Sequence, residues 1–265
     1  MRKPHGSWSS TAAVLGLLLF AGVPAALAQG DDGRPSVTDT IQPGALALLI
    51  EEGSGLYHQG TCTFCHAVAG RGSGTRAPDL SDVEWLHGEG DFDGIQTTIM
   101  WGVKRSEWKA TTPRRFQMNP SGGMNLTRPQ LAAMTAYVWS LSHGEQPASV
   151  QREREFLVLL ERGDLDGATS LFEDESGRRG APMFPERAMN ALGYQHLESQ
   201  PQAALRVFQL NSELHPESSN VWDSLAEAYM TIGDNAHAIE FYDKALAMDP
   251  TNDGARERLV ELRGQ

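Results

Sequence analysis

The chain of 265 residues carries 22 basic and 34 acidic side chains, a formal net charge of −12. That length allows an export segment and two small domains, and the acidic balance argues against nucleic acid or anionic membrane as partners.

Residues 1–28 read as a secretory signal. Arg2 and Lys3 give a positive start, Ala12 to Ala26 an uncharged apolar run, and Ala26-Leu27-Ala28 a small-x-small cleavage site. The run is short for a membrane span and is broken by Gly22 and Pro24. Cleavage after Ala28 is expected; it removes two basic residues and no acid, moving the net charge from −12 to −14. The product would be exported, periplasmic and without a stable membrane span; left uncleaved, the segment would be an anchor. Residues 29–43 read as a flexible linker, and Ala45 to Gln59 as a first helix.

Residues 62–66 read Cys-Thr-Phe-Cys-His, the attachment signature for c-type haem. Two intervening residues let one helical turn bring both thiols to neighbouring vinyl groups on one porphyrin edge. The adjacent His66 then coordinates the iron from the proximal side. Other readings of the pair fit less well. A thioredoxin-like dithiol needs a βαβ context, a zinc site needs a second ligand pair, and a redox disulfide leaves His66 without a task. One haem c, held by Cys62 and Cys65, is the expected cofactor.

A second axial ligand must come from downstream. Met118, Met124, His87 and His143 are the candidates. Met118 sits in the turn-rich stretch Phe-Gln-Met-Asn-Pro-Ser-Gly-Gly, which can carry a thioether to the iron. Met124 lies two residues before Leu126, where the next helix starts to pack, and reads as a space-filling core methionine. Met118 is therefore preferred, and His58, His87 and His143 read as structural or surface residues. Thr127 reads as a helix N-cap, with Pro129 and Gln130 in the first turn. Leu131, Met134, Val138 and Leu141 recur at helical spacing. This helix should pack on the first, with Gly55 permitting close approach near Tyr137. Lys104, Arg105, Lys109, Arg114 and Arg115 form a basic cluster interleaved with Trp101 and Trp108. It reads either as a solvated loop covering the haem or as a docking rim for an acidic partner.

Residues of about 44–144, within an expected domain of 44–147, resemble the class I cytochrome c fold, most closely the haem domains of the dihaem subunit of cbb-type cytochrome oxidases. The matching stretches are Gly55-Leu56-Tyr57, Ala77-Pro78-Asp79-Leu80-Ser81-Asp82, Trp85-Leu86-His87-Gly88, Ile95 to Ile99, and Leu131 to Ser142. The resemblance implies that the Pro78 carbonyl accepts the His66 Nδ1 proton and that Met118 is the axial methionine. The family usually reads Met-Pro there, whereas this chain reads Met118-Asn119-Pro120. It also has one haem motif where that subunit has two, and so looks like a single such domain reused as a soluble carrier.

From about residue 148 a repeat emerges. Trp222, Leu225-Ala226, Tyr229, Gly233, Ala238, Tyr242, Ala245 and Pro250 match the tetratricopeptide (TPR) pattern. Leu192-Gly193, Ala204, Phe208 and Pro216 give a second copy; Gly163, Ala168 and Phe172 give a degenerate first one. Residues 148–265 are thus expected to form about three TPR hairpins. Ala204 and Ala238 should lie where paired helices touch, and Phe208 and Tyr242 should fill the gaps between units. Through Asn190-Ala-Leu-Gly-Tyr194, Phe208-x-Leu-Asn211 and Asp223-Ser-Leu-Ala-Glu-Ala-Tyr229, residues of about 152–263 also resemble TPR segments attached to secreted serine hydrolases, but no Ser-x-x-Lys or Gly-x-Ser-x-Gly motif accompanies them. From residue 148 on, 11 basic residues face 21 acidic ones, an excess that would suit a basic partner.

The expected architecture is mainly α: a monohaem cytochrome c fold followed by a short TPR solenoid. The expected function is single-electron transfer, not catalysis, with redox proteins and a TPR-bound protein or peptide as partners. Three alternatives stand beside it. They are an electron-accepting subunit of a periplasmic dehydrogenase or oxidase complex, a haem-based gas or redox sensor, and a TPR scaffold with a structural haem. The repeats could also serve only to dimerise the protein or to pack on its own haem domain.

Overall fold

In a computed structural model the described residues are 43–264, apart from 73–75, 83, 89, 108–116 and 145. The signal segment and nearly all of the linker lie outside them, as do Trp108, Lys109, Arg114 and Arg115 of the basic cluster. Among the described residues the only regular elements are helices, with one isolated bridge between Val103 and Met118.

Helix α1 spans Pro43–Gln59. It buries Ile50, Gly53, Ser54, Tyr57 and His58, the spacing of one helical face. A five-residue turn, α2, covers Cys62–His66. An irregular stretch leads to α3, Phe92–Trp101, capped by the Asp91 carboxylate, which accepts from the Gly94 N–H. Helix α4, Arg128–His143, opens on the expected capping box of Thr127 and Gln130.

Helices α1 and α4 form the tightest contact of this half. The sequence pointed to Gly55 as the point of approach, and the structure corrects this by two residues. A Cβ at Gly55 would meet nothing within 4 Å, whereas one at Gly53 would lie 2.0 Å from the Ala133 carbonyl oxygen. Gly53 faces α4 and Gly55 does not, because two residues turn a helix by more than half a revolution. One turn later the Tyr57 and Tyr137 rings pack at 5.1 Å.

The second half is three helical hairpins and a final helix. They are α5 Ala148–Glu161 with α6 Leu165–Arg179, α7 Glu186–His196 with α8 Pro201–Leu214, α9 Ser219–Thr231 with α10 Asn235–Met248, and then α11 Asp253–Gly264. Ala168, Ala204 and Ala238 are fully buried. Phe208 joins a core with Val221, Trp222 and Leu225 of the next hairpin, and Tyr242 one with Ala255, Leu259 and Leu262 of α11. These aromatics bridge neighbouring units, as the repeat pattern requires.

No gap separates the halves, since the described residues fall in one compact unit. Val68 and Ala69, directly after the Cys-x-x-Cys-His motif, share a core with Phe156, Leu160, Phe172 and Phe184. The repeat segment therefore packs on the motif-bearing half. A buried polar network crosses the same contact. Glu153 is fully buried, accepts from Ser54 Oγ at 3.0 Å, and pairs with Arg179 Nη1 at 3.1 Å. Arg179 also reaches Glu175 at 2.8 Å.

Burial pushes the Glu153 carboxyl up to about 7, against the pull of Arg179 and Ser54 and with Glu175 adding repulsion. Such a raised carboxyl stabilises the fold most at low pH, and the benefit is lost as pH rises from about 4.5 to 7. Glu153→Gln removes that term. Its stability deficit against the wild type should grow on acidification across this window, by up to about 1.4 kcal/mol per pH unit, as read by urea denaturation. Gly53→Ala should cost about 1–3 kcal/mol through overpacking, while Gly55→Ala should be neutral or stabilising by up to about 1 kcal/mol; thermal denaturation compares the two.

Candidate functional site

The Cys-x-x-Cys-His residues of α2 open onto an apolar cavity of about 330 Å³. Cys62, Cys65 and His66 line it from α2, Ile95 and Ile99 from α3, and Met134 and Val138 from α4. Pro78, Leu80 and Trp85 of the irregular stretch and Met118 complete the wall. The described residues thus bring Cys62, Cys65, His66, Pro78 and Met118 around one space.

His66 Nδ1 lies 3.1 Å from the Pro78 carbonyl oxygen. A carbonyl only accepts, so Nδ1 carries the proton and Nε2 carries the lone pair. Burial lowers the His66 pKa, partly offset by this bond, and so favours the neutral ring that can ligate a metal. The Pro78 loop is held in turn by the Leu80 N–H donating to the Gly70 oxygen at 2.7 Å.

Burial pushes the Cys62 thiol up to about 11 and raises Cys65 as well, with Arg76 opposing the latter. Both are held protonated, the reverse of the lowered thiol that a redox dithiol uses. No disulfide joins them, and among the described residues no group of three or more His, Cys, Asp or Glu could hold a metal ion by itself. Two protonated thiols, a neutral imidazole and an apolar slot with a thioether in its wall fit an iron porphyrin better than either alternative.

Met118 is positioned by its backbone. The Val103 N–H donates to its carbonyl at 2.8 Å, and Pro120 starts the short turn Pro120–Gly123 just after it. The proline that stands one place late therefore opens a turn rather than abutting the methionine. Thr61 Oγ1 donates to the Gly122 carbonyl and ties this turn to the start of α2. Met124 is placed differently. Its sulfur packs where a Cβ on Gly60 would sit, 2.2 Å away, and it does not line the cavity.

His87 lines the cavity. His143 is exposed and stacks on Trp139 at 4.8 Å, and His58 is buried behind the motif. Of the basic cluster, Lys104 and Arg105 are described and exposed. Phe64, inside the motif, is 48% exposed with Arg76 4.8 Å above its ring. These two residues also border a second, more polar cavity with Arg187, Asn190 and Tyr194 of α7.

Two contributors escaped the sequence reading. Gly102 ends α3 with φ +68°, and a Cβ there would lie 2.2 Å from the Met118 carbonyl oxygen. Its signal was visible, since a glycine directly after a helix marks backbone at positive φ that other residues rarely adopt. Tyr57 was read only as part of the resemblance, yet its hydroxyl donates to the Ala67 carbonyl at 2.9 Å.

A family model for cytochrome c matches residues 50–142. One for a tetratricopeptide repeat matches residues 219–262. No curated protein matches the chain. Gly102→Ala should displace the Met118 segment, so exchange of the Val103 amide hydrogen should speed up at least tenfold; an unchanged rate would show that the approach at Gly102 is dispensable.

Proposed function

From a chain that is a cytochrome c domain fused to TPR helical hairpins, we propose an exported monohaem electron carrier whose repeats dock its redox partner. Haem c is what a cytochrome c domain implies, and electron transfer beside a protein-interaction segment is the corresponding function. The finer reading assigns covalent attachment to Cys62 and Cys65, proximal ligation to His66 and the sixth position to Met118. The observation that carries it is that these four residues line one apolar cavity.

When bound, the haem iron supplies the one-electron couple. The chain's residues do the rest. Adding each S–H across a vinyl double bond would fix the ring without a redox co-reactant. The Pro78 carbonyl holds the His66 proton on Nδ1, orients the imidazole and makes it more electron-rich. Ile95, Ile99, Met134 and Val138 exclude water, and a thioether sixth ligand raises the potential relative to bis-histidine ligation.

Export to the periplasm rests on residues 1–28, which have the three parts of a cleavable signal. Among the described residues no helix is long and apolar enough to cross a membrane. Docking by the repeats would raise the effective concentration of the partner. The cavity shared by Phe64, Arg76 and α7 would bring a partner held there against the motif itself.

Ligand assignment is tested by the ferric spectrum. Met118→Ala should abolish the weak far-red sulfur-to-iron charge-transfer band and open the ferrous iron to carbon monoxide. Met124→Ala should leave the band and cost only packing stability. Loss of the band in Met124→Ala alone would reverse the assignment.

A further inference from the structure

The turn that follows His66 is backbone in an unusual conformation. Ala67 has φ +66° and Ala69 φ +51°, the left-handed region that residues with a Cβ rarely occupy. Such a turn persists only where its surroundings over-determine it. Helix α1 supplies two of the restraints. Tyr57 donates to the Ala67 carbonyl, and the Ala69 N–H donates to His58 Nε2 at 3.4 Å.

The bond from Ala69 fixes the chemistry of His58. Nε2 accepts, so the proton sits on Nδ1, which lies 2.9 Å from the Ser54 carbonyl and 3.2 Å from Ser54 Oγ. Burial lowers the His58 pKa to about 3, so the ring stays neutral. Ser54 Oγ then donates its own proton to Glu153, at 3.0 and 3.1 Å from the two carboxylate oxygens. Glu153 belongs to the first repeat hairpin and is held by Arg179, which also donates to the Ser149 carbonyl at 2.8 Å. The links from Glu153 through Ser54 and His58 to Ala69 are buried, whereas Arg179 is partly exposed. The Phe184 ring, 4.9 Å from His58, closes the remaining side.

We propose that Glu153, Ser54 and His58 are positioning residues of the iron site, through which the first repeat hairpin holds the turn that carries His66. The chain of bonds ends three residues from His66, and the Gly72 N–H donates back to the His66 carbonyl at 2.8 Å. Loss of the Ser54 hydroxyl removes one of the two acceptors beside His58 Nδ1, leaves only the Ser54 carbonyl, and so loosens the ring that accepts from the Ala69 N–H. The turn then relaxes, and the bond between His66 and Pro78 changes with it. The repeat segment thereby sets the electronic environment of the iron as well as docking partners. The electronic part of this rests on the ligand role proposed for His66; the restraint on the turn does not.

The test uses the full haem-loaded protein and two readouts. The first is hydrogen exchange at the Ala69 amide, which does not depend on the iron. The second is the ferric-to-ferrous ratio at a fixed ambient potential. Ser54→Ala should speed exchange at least tenfold and change the ratio at least threefold. Glu153→Leu should do the same. Glu153→Gln keeps an acceptor for Ser54 and should stay within threefold in exchange. Glu161→Gln breaks the exposed pair between Arg71 and Glu161, 2.6 Å apart, which joins the same two halves. It should move neither readout.

Folded Ser54→Ala or Glu153→Leu protein with wild-type exchange and ratio would overturn the proposal, as would an equal response in Glu161→Gln. Failure of both buried variants to fold while Glu153→Gln exchanges at the wild-type rate would support the restraint on the turn. Wild-type protein without a low-spin haem would instead defeat the carrier reading and leave the exchange result standing.

Discussion

A backbone contact between α1 and α4 governs the layout of the site. Gly53 lets the two helices close until the Ala133 carbonyl occupies the place of a side chain. From there each helix works on a different boundary of the site. One turn further along α1, Tyr57 and His58 reach the carbonyl of Ala67 and the amide of Ala69. Along α4, Met134 and Val138 become cavity wall. A larger residue at 53 would separate the turn of Cys62–His66 from the cavity wall opposite it.

The repeats share this geometry rather than hang from it. Phe156, Leu160 and Phe184 make one core with Val68 and Ala69, and Val150 joins the core of α1 and α4. Burying the Glu153 carboxyl beside the partly exposed Arg179 carries a desolvation cost that packing alone would avoid. Here its contact is directional, since the carboxyl accepts from Ser54 Oγ, which lies 3.2 Å from His58 Nδ1. Further from this contact the array is conventional. Trp222 Nε1 donates to the Pro216 carbonyl at 2.8 Å, and its ring stacks on Phe241.

Much of this was legible because it is local. The Cys62 to His66 spacing, the Thr127 capping box, and the alanines at 168, 204 and 238 are each encoded within a few residues. The cytochrome c fold and the helical hairpins follow from such signals. What was not legible depends on rotation about a helix axis and on contacts distant in sequence. Gly53 and Gly55 are indistinguishable in a string, and only the facing helix selects between them. His58 read as a lone structural histidine; its partners Ser54 and Ala69 are near in sequence, but Glu153 lies 99 residues from Ser54. Likewise Met118 and Met124 both precede a helix, and their difference comes from Gly102 and Gly60, the glycines each one packs against.

Covalent attachment of a single haem is the claim on which the carrier reading stands, and intact mass measured after full denaturation tests it directly. Protein made in a host that matures c-type cytochromes should retain the mass of one haem, and replacing both Cys62 and Cys65 with alanine should remove it. A denatured wild-type chain without that increment, or one lighter by two hydrogens from a Cys62–Cys65 disulfide, would contradict the account.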